Sequence, residues 1–349
     1  MVNERKARVA TPGGDALGGA PGRRPARLAI ILLSAVCLFW GMTFLLMQIG
    51  TERIRAILGT QDRLGPSALF LFVRFGLAAL LMPLCLPSSV RRLDRVAWAQ
   101  GLLLSLPFSL GFILQVFGLS QADVSPSQSA FLTSLFVVAT PILDALVRRR
   151  RPPLGVLVGI PLAVVGAAFM QGPPRGGLSL GAWMTIACAV VFAVHILVTD
   201  YSTRRADPMA ITLTTLLFSV VWMGLALAAA PGAGALRLAR LPALLLDPRF
   251  ALAEVLCALL ATVVALSVLN RWQKELDPSR AAIAYTSEPV FAAIISLAAG
   301  RDHLSGWLFF GAGMILLANL SAELIGKRAA PPVGGAAEPP LRAAQGGDR

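Results

Sequence analysis

Two ionisable side chains, Arg74 and Glu288, fall near the middle of long apolar runs. A charge at the centre of a bilayer helix costs about 2.5–3.5 kcal/mol on insertion scales, so residues of this kind are kept for function or for pairing. Glu288 stands directly before Pro289. A proline frees the carbonyl four residues earlier and tends to kink its helix. A carboxylate beside irregular backbone suits a cation or proton site on a cavity wall. It could equally neutralise Arg74, or bond to the hydroxyls of Thr286 and Ser287 as helix packing. The planar fork of Arg74 suits an anionic group on a substrate, and it suits Glu288 as a structural partner just as well. If the two pair, a substrate competing for one partner would couple binding to rearrangement.

Weaker candidates surround these two. His195 titrates near neutral pH, which fits proton coupling, although a lone histidine is more often a packed residue. Trp40, Phe44 and Tyr285 could line an aromatic cavity or simply pack. Gln115 and Asn270 could line a path or bond helices together. Pro141 and Pro289 are the expected helix kinks. Asp144 and Asp200 each stand four residues before an arginine, Arg148 and Arg204, as cytoplasmic i,i+4 pairs. Glu254 reads as a residue opening its span, favoured by the positive end of the helix dipole and structural only. The four cysteines, Cys37, Cys85, Cys188 and Cys257, lie in apolar runs and read as small packing residues. His195 and His303 are the only histidines and neither adjoins a cysteine, so no metal site is expected. The chain has no GxxxxGK[ST] loop, no HExxH and no nucleophile–base–acid set, so neither an ATP-driven pump nor an enzyme is expected, and no cofactor.

The elements that must position these residues follow from composition. Hydrophobic residues are 56% of the chain and charged ones 14%, against about 25% charged in soluble domains. The shift runs the whole length, with charge gathered in short clusters between apolar runs. Ten spans of bilayer length are predicted, at 27–49, 66–87, 98–119, 125–147, 154–171, 181–202, 209–230, 250–271, 279–299 and 303–325. The first is too long for a signal-peptide core and has no cleavage pattern after it. Residues 1–26 and 326–349 read as disordered Gly/Pro/Ala-rich tails, and 231–249 as a loop with room for a short interfacial helix. With a cytoplasmic N-terminus, the inner segments hold 21 Lys and Arg and the outer loops 8. That bias puts both termini in the cytoplasm. It also accounts for the net charge of +13 as a topology signal, so no nucleic-acid partner is expected.

A shift of 152 residues places Pro126-Ser127-x-x-Ala130 on Pro278-Ser279-x-x-Ala282, Trp40 on Phe192 and Thr43 on His195. Five spans per half is an odd number, so the halves would be inverted, with a substrate site near the midplane between them. Several motifs sit in register with these spans: Trp40-Gly41-Met42-Thr43-Phe44 in the first, Arg74-Phe75 in the second, Ala122 to Leu132 with Pro141 around the fourth, and Ser287-Glu288-Pro289-Val290 in the ninth. In these motifs residues 27–325 resemble EamA-type members of the drug/metabolite transporter superfamily. The Gly-Glu pair that members often carry after the fourth and ninth spans is replaced here by Arg148 to Arg151 and by Gly300 to His303.

The resemblance implies an all-α membrane protein of ten transmembrane helices, built as five-helix repeats over 27–171 and 181–325. It further implies a carrier of small metabolites that uses no ATP. The leading expectation is secondary transport of an amino acid-like or amphipathic compound across the cytoplasmic membrane, with proton-coupled efflux as one form. A flippase for a lipid-linked substrate and a non-transporting scaffold or sensor are the alternatives. Expected partners are a small-molecule substrate and the lipid bilayer, with protons as a candidate coupling ion; a homodimer is left open. Arg74, Glu288, Trp40, Thr43, Phe44, Gln115, His195, Asn270 and Tyr285 are the expected binding or coupling residues.

Overall fold

Inside hydrocarbon every backbone polar group must find an internal partner, which leaves helices as the means for apolar runs of this kind to cross. The computed structural model describes residues 23–170, 173, 177–230, 241–272 and 285–325, with backbone alone at 23–27, 241, 270, 271 and 323. The elements are α1 (Arg23–Leu58), α2 (Leu64–Cys85), α3 (Ser88–Arg91), α4 (Arg95–Leu119), α5 (Pro126–Thr133), α6 (Phe136–Val147), α7 (Leu154–Phe169), α8 (Leu180–Thr203) and α9 (Pro208–Ala229). They continue with α10 (Leu241–Leu245), α11 (Pro248–Val255), a π-helical stretch Leu256–Val264, α12 (Ala265–Trp272), α13 (Ser287–Ala298) and α14 (Gly306–Leu324).

Among the described residues, seven helical stretches are long and apolar enough to cross a membrane, and three shorter apolar helices, Leu154–Phe169, Ser287–Ala298 and Gly306–Ala322, accompany them. Six helix starts have a cap written in the sequence. Asp94, Ser179, Asp247 and Ser305 accept from a backbone N–H in the first turn, and Ser125 with Gln128 closes a capping box. Asp207 caps α9 ahead of Pro208 in the same way.

Three boundaries depart from expectation. Helix α1 runs on to Leu58, past the predicted end at 49. Its extension is held by ion pairs of Arg53 with Asp247 and of Glu52 with Arg301. The fourth span is broken at Ser134 and Leu135, nearly two turns before the expected kink, while Pro141 lies inside α6. There Ser134 donates to the Phe131 carbonyl at 2.7 Å and accepts from Asn319 of α14 at 3.0 Å, so a hydroxyl and an amide satisfy the interrupted turn. Pro289 occupies the first turn of α13, where an N–H has no intrahelical acceptor to lose. It stands three residues after the turn at Thr286 that separates helical Tyr285 from α13. The residues 278–282 of the repeat motif, residues 231–240 and most of both tails lie outside the described residues, while α10 supplies a short helix within 241–249.

Helix α4 lies between α8 and α9, and the α11–α12 stretch lies between α1 and α2. Helix α1 meets α13 as α8 meets α5 and α6, while α2 packs on α9 and α7 on α14. Exchanging α1, α2, α4, α5–α6 and α7 for α8, α9, α11–α12, α13 and α14, in that order, sends each of these pairings onto itself or onto another. The α7–α14 crossing is close because Gly166 and Gly311 face each other. A Cβ on Gly166 would come within 2.8 Å of the Gly311 carbonyl oxygen. The largest core cluster joins both halves, with Phe44 and Met47 of α1, Phe75 of α2, Leu216 of α9 and Phe250 of α11. Apolar side chains such as Leu80, Leu84, Val164 and Leu225 face outward, as acyl chains permit and water does not. Cys37, Cys188 and Cys257 are buried as expected of packing residues, but Cys85 is exposed at the end of α2, where the helix leaves the core.

Candidate functional site

Arg74 is buried, 3% exposed, although it carries a full charge. Its direct contacts among the described residues are weak acceptors. One terminal nitrogen lies 3.5 Å from the Met47 sulfur, and the guanidinium stands 5.1 Å from the ring centroid of Phe112 and 5.9 Å from that of Phe75. Such cation–π contacts are worth about 2 kcal/mol when desolvated. Its Nε has no hydrogen-bond partner among the described residues.

The carboxylate in electrostatic reach of Arg74 is Glu254, from the second half. Glu254 is 2% exposed, and neither of its oxygens has a hydrogen-bond partner among the described residues. Among the described residues no ion pair or hydrogen bond joins Arg74 to Glu254 or to Glu288. The expectation that Glu254 merely opens a span is therefore corrected. Asp247 accepts from the Phe250 N–H at 2.9 Å and takes the capping position, which puts Glu254 nearly two turns inside the membrane helix. The signal was available: Asp247-Pro248 is a helix-start pair, and counting from it places Glu254 on the buried face with Phe250 and Cys257.

Glu288 sits elsewhere. It lies in the first turn of α13, where the helix dipole favours a carboxylate. It acts electrostatically on Cys37 of α1. The two helices touch through Gly41: a Cβ there would come within 2.8 Å of the Ala292 nitrogen and 2.9 Å of the Glu288 carbonyl oxygen.

The remaining expected residues divide. Trp40 donates from its indole to the Ala261 carbonyl at 2.9 Å, inside the π-helical stretch, and its ring lies 6.5 Å from that of Tyr285. Its repeat mate Phe192 packs against Phe112 at 5.2 Å. His195 joins that aromatic group, 5.4 Å from Phe108 and 6.3 Å from Phe192. Arg74, Phe75, Phe108, Phe112, Phe192 and His195 thus form one connected cluster. Thr43 turns back on its own helix, donating to the Trp40 carbonyl at 2.7 Å, and Phe44 is a core residue. Gln115 donates to Thr133 at 3.3 Å and joins α4 to α5. The Asn270 side chain lies outside the described residues.

Apolar helices that bury charge where two similarly paired halves meet define a multi-pass membrane protein with a polar centre. The EamA-like transporter family model matches twice, over residues 27–171 and 179–321. The chain belongs to the EamA-like transporter family, a family of membrane transporters and not of enzymes. It is 29% identical over 310 residues to an uncharacterized transporter of Archaeoglobus fulgidus, a match that covers 88% of this chain and 89% of that protein. The fold is similar to that of a protein of known crystal structure, with a TM-score of 0.52 at 17% identity over 86% of this chain and 98% of that one.

Proposed function

We propose that this protein is a secondary transporter that carries a small amino acid-like or amphipathic metabolite across the cytoplasmic membrane by alternating access, as efflux coupled to protons. The observation that carries the reading is the buried, non-bonded couple of Arg74 from the first half and Glu254 from the second. Rocking one half against the other changes how these charges face each other, and a bound polar group can take the place of either. The aromatic cluster beside Arg74 offers apolar surface for the rest of such a substrate.

The reading takes the chain as ten spans in two inverted five-helix repeats, 27–171 and 181–325, with both termini cytoplasmic. The exchangeable helix pairings and the excess of Lys and Arg on the inner side support it. Glu288 is the proposed proton-exchanging carboxylate, because it stands at a helix start within a span and against the close α1–α13 contact.

Purified protein in liposomes, screened against a metabolite panel with and without a pH gradient, tests both parts. Wild type is expected to move at least one amino acid-like compound faster under a gradient, and Glu288→Gln is expected to lose that acceleration. Movement of no compound overturns transport. An unchanged pH dependence in the variant removes the proton role of Glu288.

A further inference from the structure

A second polar feature opens sideways. Between α2 and the α10–α11 segment lies a cavity of about 320 Å³. Val73, Leu77 and Leu80 form one wall and Leu245, Phe250 and Val255 the other. Leu80, 71% exposed, and Leu245 stand on the outer apolar surface, so the mouth faces the region that acyl chains occupy. The one polar side chain on the lining is Glu254.

A carboxylate is an acceptor only, and a buried one needs donors. Among the described residues Glu254 has none on either oxygen. Arg74 acts on it through space but donates nothing to it, being held among Met47, Phe75 and Phe112. An apolar slot with an unsatisfied acceptor at its base is complementary to a cationic donor on an apolar body.

We propose that the α2–α11 cleft binds a primary ammonium carried on a short apolar chain. The ammonium donates to the Glu254 oxygens, and the chain lies against Leu77, Leu80 and Phe250. An ammonium fits better than a quaternary cation because only the former brings N–H donors. A carboxylate ligand brings no donor to the Glu254 oxygens. The route in is lateral, from the bilayer into which an alkylammonium partitions. This is a binding site, and it holds whether or not its ligand is carried across.

The test uses the full chain in nanodiscs at pH 7, titrated with n-hexylamine and, separately, with n-hexanol, hexanoate and 6-aminohexanoate, with empty nanodiscs as reference. Hexylammonium is expected to bind at least tenfold more tightly than hexanol or hexanoate. Glu254→Gln and the cavity-filling Ala251→Phe are each expected to weaken it at least tenfold. Equal affinity for hexanol and hexylammonium overturns the proposal. So does tighter binding of the zwitterion 6-aminohexanoate, which would place the ligand on Arg74 and Glu254 jointly. If Glu254→Gln does not fold, Ala251→Phe decides alone, because retained hexylammonium affinity in that variant rules the cleft out. None of these outcomes depends on liposome transport, so a failure here is separable from a failure of the transport reading.

Discussion

Arg74 and Glu254 are buried from opposite halves within electrostatic reach of each other, yet among the described residues no hydrogen bond or ion pair joins them. A buried charge is normally kept only with a well-made partner, since removing one member of a buried pair costs about 3–5 kcal/mol. Here the guanidinium rests on ring faces and a thioether, and the carboxylate has no donor. The arrangement leaves hydrogen-bonding capacity on both groups for something else to fill.

The first prediction concerns this couple. Arg74→Met leaves Glu254 without a compensating charge and is expected to lower the unfolding temperature in detergent markedly. The double variant Arg74→Met/Glu254→Gln is expected to recover part of that loss, with a coupling on the order of 1–3 kcal/mol. Strictly additive effects in a double-mutant cycle of thermal unfolding would sink the idea that the two charges sense each other.

The α1–α13 crossing gives the second. A methyl at Gly41 meets backbone at 2.8 and 2.9 Å, and neither atom is a flexible side-chain end that could move aside. Gly41→Ala is expected to cost about 1–3 kcal/mol as α13 is forced away. Because Glu288 rides on α13, the same variant is expected to slow transport at least tenfold. Unchanged unfolding and unchanged uptake together would show that the two helices separate freely at this point.

Much of the fold is legible in the sequence because apolar run length and cap chemistry are local. Asp207-Pro208 and the Ser125–Gln128 box mark their helix starts without help from tertiary structure. The site is less legible because burial of a charge depends on which helices meet. Arg74 and Glu288 look like partners from their central positions, but α2 packs against the α11–α12 stretch while α13 packs against α1 and α5, so it is Glu254 that lies within electrostatic reach of Arg74. The break at Ser134 was hidden for a similar reason, since it is stabilised by Asn319, 185 residues away. Pro141, the local signal, marks the right span and the wrong turn.

A third prediction is a pH dependence outside the spans. Hydrogen bonds from Arg53 and from the Phe250 N–H hold the Asp247 carboxyl below the usual carboxylate range. A depressed carboxyl pKa contributes stability that is fully present above the unfolded value, about 3.9, and is lost as pH falls through the folded one. Asn still caps a helix but carries no charge, so Asp247→Asn removes the ionic part alone. Wild type is expected to unfold at a higher temperature than the variant at pH 6, and the gap is expected to narrow between pH 4 and pH 2. A gap that stays constant across that range would mean the charge of Asp247 contributes nothing there.

The last prediction turns on the π-helical stretch. Nine residues of π-helix, Leu256–Val264, leave the backbone of the eighth span less regular than an α-helix would. Thr262 already bonds back to the Cys257 carbonyl at 3.0 Å, five residues earlier, so the widened turn is supported from within. Trp40 supports it from outside by donating to the Ala261 carbonyl at 2.9 Å. Trp40→Phe keeps most of the ring that packs on Tyr285 but deletes the donor, leaving a partly buried carbonyl short of one partner. The expected cost is about 0.5–1.5 kcal/mol in unfolding. Amide hydrogen exchange should accelerate in 256–264 while α7 and α14, which pack chiefly on each other, keep their protection. If exchange rises equally in all three segments, the substitution has loosened the whole bundle, and the indole is not a specific brace for the irregular turn.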